Sequence, residues 1–154
     1  MFSPNTRIYQ PGYISHISLG LSIFIIQSVA LGISQSSYMP DLVCTGIWGG
    51  AYLVMFAFLA KENTLTSKAM QWMSYYAILI GFTSIGLYSW RFSVYGPLIA
   101  DCKNFPASVY GISLCGRVAI DCCMIINGVF IVLVNGFIYS KAPSLATNNA
   151  LIKE

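Results

Sequence analysis

Apolar residues run along this chain in four long blocks, and the short stretches between them hold most of the charges and prolines. The clearest block is Leu42 to Ala60, an uncharged run bounded by Asp41 on one side and by Lys61 and Glu62 on the other. As a helix rising about 1.5 Å per residue it would cover roughly 28 Å, close to the ~30 Å hydrocarbon core of a bilayer. The pattern predicts a membrane span there. Ile14 to Ser34 is a second apolar run, with His16 near one end and Gln27 inside it. Its rival reading, a cleaved signal peptide ending near Ala30-Leu31-Gly32, is disfavoured because the run exceeds the about 7 to 15 residues of a signal's apolar region. A third span is predicted from Met70 to Trp90, where Trp72 and Trp90 would lie roughly 27 Å apart along a helix and suit both membrane interfaces. Between Arg91 and Ala107, Pro97 and Pro106 preclude one continuous helix. Ser108 then reads as an N-cap, and Val109 to Tyr139 is a proline-free run of roughly 46 Å if wholly helical. Because Arg117 and Asp121 fall in its first half, the embedded part is placed at about 118–139. The residues before Tyr13 read as an irregular tail, and those from Ser140 as a short polar one.

These blocks define the expected fold. It is all-α, an integral membrane four-helix bundle forming a single four-span domain over residues 1–154, with spans at about 14–34, 42–60, 70–90 and 118–139. Composition agrees: 56% hydrophobic, 8% charged, mean hydropathy +0.69. The formal net charge of +3 is dispersed, so neither a nucleic-acid footprint nor a polybasic lipid patch is expected. Arg7, Lys61, Lys68, Lys141 and Lys153 fall on one side of the predicted topology, and Arg91, Lys103 and Arg117 on the other. Positive charge collects on the cytosolic side of membrane proteins, so both termini are expected in the cytosol. All five cysteines then fall toward the extracytosolic end, where disulfides persist. The expected location is the plasma membrane or another secretory-pathway membrane.

Candidate chemistry is sparse. Gly46 and Gly50 form a small-xxx-small face that lets a second helix backbone approach closely, and with Trp48 and Gly49 they are the first expected packing interface. Gln27, Asn127 and Asn135 carry amides deep in spans, so they are expected to face the bundle or an oligomer interface and to hydrogen-bond across helices; the face of Asn127 and Asn135 is the second expected interface. Asn127 and Asn135 are eight residues apart, roughly on one helix face. Arg117 and Asp121, at i and i+4, form an intramembrane charge pair whose members neutralise each other. Cys102 and Cys115 are the favoured disulfide, with Cys44 the competing partner and at least one thiol left over. His16, the sole histidine, has no Cys, Asp or Glu in ligand spacing, so no metal is expected. No Ser-His-Asp set, carboxylate pair, phosphate loop or nucleotide fingerprint is present, and neither an enzyme nor a cofactor is expected.

Ile47-Trp48-Gly49-Gly50, followed by an apolar run closing on Leu59-Ala60-Lys61-Glu62, resembles the second span of the membrane-spanning four-domain family, subfamily A. That family includes the B-lymphocyte surface antigen and the IgE receptor beta chain. The layout is also similar: four spans, cytosolic termini, a very short first outer loop and a larger second one with cysteines, here Cys102 and Cys115. The motif covers about 20 residues. Leu19-Gly20, Gln27 and Leu31-Gly32 of the first span stand in unfamiliar spacing, and the long cytosolic tails of signalling members are absent. Claudin-like and connexin-like patterns fit less well, since the first outer loop, SQSSYMPD, is short and lacks cysteine, and the tetraspanin pattern does too, since Cys122-Cys123 is followed by Met124 inside a span rather than by the glycine of an outer domain. The resemblance implies a non-enzymatic accessory or structural subunit of a membrane receptor or channel complex. Its partners would be other integral membrane proteins and the bilayer, with self-association into a homo-oligomer. The alternative is a small oligomeric ion channel or transport component in which Asp121 and the amides line a path between subunits.

Overall fold

The computed structural model describes residues 6–33, 39–61, 65–95, 108–109 and 112–151, which are mostly helical, with one short pair of strands. Helix α1 spans Thr6–Ile33, α2 Met39–Leu42, α3 Thr45–Lys61, α4 Ser67–Tyr95 and α5 Leu114–Leu151. Strands β1 (Ser108–Val109) and β2 (Ile112–Ser113) pair antiparallel, with Ser108 opposite Ser113. Among the described residues, three helices contain segments long and apolar enough to cross a membrane: Gly12–Gly32, Ser67–Val94 and Cys115–Ala142.

The fourth apolar block departs from expectation. It is not one continuous helix from Leu42 but the short α2, a turn, and α3. The turn is made at Cys44, whose φ of 54° is left-handed. Its N–H donates to the Asp41 carbonyl at 3.0 Å, and its own carbonyl receives the N–H groups of Ile47 and Trp48, which starts α3. A non-glycine residue pays for this conformation. The compensation is positional: the joint turns Asp41 inward, where its side chain is 1% exposed. The seventeen residues of α3 cover about 25 Å, less than a full hydrocarbon thickness.

Other boundaries also move. The chain is helical from Thr6, through Pro11, where an irregular tail was expected; the missing proline N–H removes one intrahelical bond and the helix continues past it. Thr66 caps α4: its hydroxyl accepts the N–H of Ala69 at 3.2 Å, so the helix starts at Ser67 rather than near Met70. At its other end α4 continues through Arg91 to Tyr95. Ser108 is not an N-cap, because it belongs to the hairpin and α5 begins only at Leu114. Beyond Ser140 the backbone remains helical to Leu151 instead of becoming a tail.

Packing pairs α1 with α3 and α4 with α5, and the two pairs join through α1 against α5 and α3 against α4. Glycines set the distance within each pair. A Cβ on Gly50 would come within 2.5 Å of the Gly20 carbonyl oxygen, and one on Gly46 within 2.6 Å of the Ile23 carbonyl. Gly81 and Gly128 meet in the same way between α4 and α5. The core between the four long helices holds Ile23, Leu53, Ala77, Tyr88, Met124 and Ile131. Large apolar side chains such as Phe24, Met55, Phe82, Phe130 and Leu133 face outward. A water-soluble domain would bury such residues; a lipid-facing surface requires them.

Candidate functional site

The polar residues gather inside. Asp41 of α2 is the centre of the largest cluster. Its Oδ2 accepts Arg117 Nη1 at 2.7 Å and its Oδ1 accepts Arg117 Nη2 at 3.2 Å, the two-pronged geometry that best matches a guanidinium to a carboxylate. The same Oδ1 accepts Gln27 Nε2 at 3.2 Å and the Tyr88 hydroxyl at 3.4 Å. Tyr88 also donates to Gln27 Oε1 at 2.7 Å, and that oxygen receives the Gly46 N–H at 3.4 Å. Asp121 Oδ1 stands 3.3 Å from Arg117 Nε. All five helices contribute, and Gln27, Asp41, Tyr88, Arg117 and Asp121 are each at most 1% exposed. Burying charge this completely is costly unless each charge is matched and hydrogen-bonded, and the geometry around Asp41 meets that condition.

Local sequence explains part of this arrangement. Arg117 and Asp121 lie one turn apart on the inward face of α5. The expected i,i+4 pair is therefore present. It is not the principal contact, however, because the shorter and two-pronged partner of Arg117 is Asp41, seventy-six positions away in the chain. Arg117 is wholly buried. Asp41 and Tyr88 went unrecognised as members. The only sequence cue was Asp41 itself, an acid directly beside the longest uncharged run.

A second polar tie joins α1 to α5. His16 Nδ1 lies 2.7 Å from the Gly12 carbonyl and Nε2 lies 2.9 Å from Asn135 Oδ1, while Asn135 Nδ2 donates to the Ile131 carbonyl at 2.9 Å. The Phe56 ring stands edge-on to the imidazole with centroids 4.8 Å apart. Asn135 thus bridges helices as expected, and so does Gln27. Asn127 does not. Its Nδ2 donates to the Cys123 carbonyl of its own helix at 2.8 Å, and the residue is partly exposed. Eight residues advance a helix by about 80° beyond two full turns, enough to place Asn135 inside and Asn127 on the flank.

The glycine face is occupied within the chain. Gly46 and Gly50 press on α1, and Gly49 faces Ile80 of α4, where a Cβ would lie 2.7 Å from Ile80 Cγ2. Trp48 is exposed, and its indole N–H donates to the Val43 carbonyl at 2.9 Å. Cys44 carries a free thiol that contacts the Asp41 carbonyl at 3.2 Å, and Cys122 and Cys123 are also free. Cys115 is not among these free thiols, and Cys102 lies outside the described residues. Among the described residues no three His, Cys, Asp or Glu side chains converge as metal ligands.

Helices long and apolar enough to cross a bilayer, tied together by a buried ionic cluster, mark this as a helical membrane protein. Comparison of the chain with protein-family models, with curated proteins and with solved structures finds no match in any of the three.

Proposed function

We propose that this chain is a four-span membrane protein with both termini in the cytosol, acting without catalysis as a structural or accessory subunit of a membrane complex. In this reading α3 is the fourth span, short enough that α2 and the Cys44 turn complete the crossing. One observation carries the reading. The buried charges of Asp41, Arg117 and Asp121 and the amides of Gln27 and Asn135 are engaged with one another or with His16 across helices, and many large apolar side chains face outward. Such a molecule presents shape and apolar contact to its surroundings, which suits lateral association in a bilayer. Its basic side chains at one end, Lys61 over the Tyr13 ring and Lys141 over the Phe137 ring, fit the cytosolic interface. A Cys102–Cys115 bridge belongs to the same reading, since it would hold the outer connection onto the start of α5.

Native mass spectrometry of the protein gently extracted from its own membrane tests the proposal. Stoichiometric co-purification with another integral membrane protein is the expected result. A chain that is always recovered alone, and conducts ions when reconstituted in liposomes, overturns it in favour of an autonomous pore.

A further inference from the structure

We infer that the flank of α5 carrying Cys123 and Asn127 is a self-association surface, on which two copies of this chain pair their Asn127 amides. This rests on the membrane-spanning reading of α5. Asn127 uses one amide proton, to the Cys123 carbonyl. Its second proton and its Oδ1 have no hydrogen-bond partner among the described residues. In water that would mean nothing. Midway along an apolar helix it is costly, because an acyl chain offers neither donor nor acceptor. The side chain lies among outward-facing Ile126, Phe130 and Cys123.

The occupant follows from the chemistry and from the membrane. A carboxamide is self-complementary, offering one donor and one acceptor in the same plane. Two copies inserted in a membrane share one orientation, so a twofold axis runs along the membrane normal and their α5 helices lie parallel. Residues at equal depth then face each other. Asn127 meets Asn127 of the second copy, each donating its remaining proton to the other's Oδ1. One turn earlier on that flank, Cys123 faces Cys123. Gly46, Gly49 and Gly50 cannot serve this purpose, since they are covered by α1 and α4.

The full-length protein is reconstituted in liposomes at decreasing protein-to-lipid ratio and treated with copper phenanthroline. Each new disulfide gives two electrons to copper(II) and releases two protons to the buffer. The expected result is a dimer on non-reducing electrophoresis that persists on dilution. Cys123→Ser should abolish it and Cys122→Ser should leave it. Asn127→Leu should lower the cross-linked fraction about tenfold at the dilution where half the wild type is captured, the effect of losing a reciprocal pair of interhelical hydrogen bonds. Asn127→Gln, which keeps the amide, should retain most of it. Both Asn127 variants remain folded by circular dichroism if the surface is external, as inferred. A wild type that never cross-links, a cross-link indifferent to Asn127→Leu, or a Cys123 bridge to a different protein in native membranes overturns the inference. Carbonate extraction separates the two levels. A chain stripped from the vesicles refutes the membrane reading itself, whereas a retained chain that stays monomeric refutes only the pairing.

Discussion

Removing Arg117 should damage this protein far more than removing either of its carboxylate partners. In the wild type one guanidinium serves two acids, Asp41 at 2.7 Å and Asp121 at 3.3 Å, with neither acid more than 1% exposed. Arg117→Met fills comparable volume but leaves both carboxylates without it in an apolar interior. Breaking a buried ion pair from one side costs about 3–5 kcal/mol, because the orphaned charge must be neutralised or hydrated. Asp41→Asn is different. It removes the two-pronged acceptor and disturbs Gln27 and Tyr88, yet Arg117 keeps Asp121 and the amide oxygen still accepts one bond. Its cost should be nearer that of an unsatisfied buried hydrogen bond, about 1–3 kcal/mol. The double variant should cost clearly less than the sum, since removing both partners of a bond spares the penalty of stranding one. Equilibrium unfolding in mixed micelles by SDS titration, followed by tryptophan fluorescence, provides the three free energies. Arg117→Met costing under about 1 kcal/mol, or strictly additive single effects, would refute the argument that these groups form one coupled unit.

Four further outcomes follow from packing and placement. Gly50→Leu should destabilise the protein by about 1–3 kcal/mol, because its Cβ would press on the Gly20 carbonyl. Gly136→Ala, which meets nothing within 4 Å, should stabilise by about 0.5–1 kcal/mol through helix propensity; melting curves of the two variants check the contrast. Asn135→Leu should cost about 0.6–2 kcal/mol in the same SDS titration, because it removes the bond from His16 between α1 and α5. Trp72 and Trp90, both more than half exposed at opposite ends of α4, should be quenched more by lipids brominated near the headgroup than by lipids brominated at the chain ends. The reverse order in variants retaining only one of them would place α4 across the bilayer incorrectly.

What could be read from the chain and what could not divides along distance in sequence. The apolar blocks at Ile14–Ser34 and Met70–Trp90 correspond to α1 and α4 because a long uncharged run is a local property. The helices outrun the apolar blocks, α1 beginning at Thr6 and α4 running from Ser67 to Tyr95. Hydropathy marks where lipid could begin, whereas a helix stops where its hydrogen bonds stop, as the Thr66 cap shows. The break at Cys44 had no local signal, since cysteine is not a turn residue; Asp41 reaching inward to Arg117 makes that turn worthwhile. Asp41 itself looked like a boundary marker, the usual place for an acid beside a span. The Gly46–Gly50 spacing correctly announced a close approach, but spacing carries no address, and the helix that approaches is α1 of the same chain.

The two polar ties divide the work with the glycines in a way that explains why both are needed on α1. Gly20 against Gly50 fixes how closely α1 and α3 approach, but backbone contact and aliphatic packing place little restraint on rotation about the helix axis. Gln27 and His16 supply that restraint. They sit eleven residues apart, roughly 16 Å along α1, and point to different partners: Gln27 to Asp41, Tyr88 and Gly46, His16 to Asn135 of α5. Rotating α1 to present another face would strand both polar groups among apolar side chains, and no acyl chain could rescue them. Distance is thus set by what is missing from the glycines, and rotation by amide, imidazole and carboxylate groups that cannot be satisfied in hydrocarbon. This leaves Asn127 as the deep amide whose second proton and oxygen find no partner among the described residues, so the same logic that fixes α1 points to the α5 flank as the surface that a second molecule would cover.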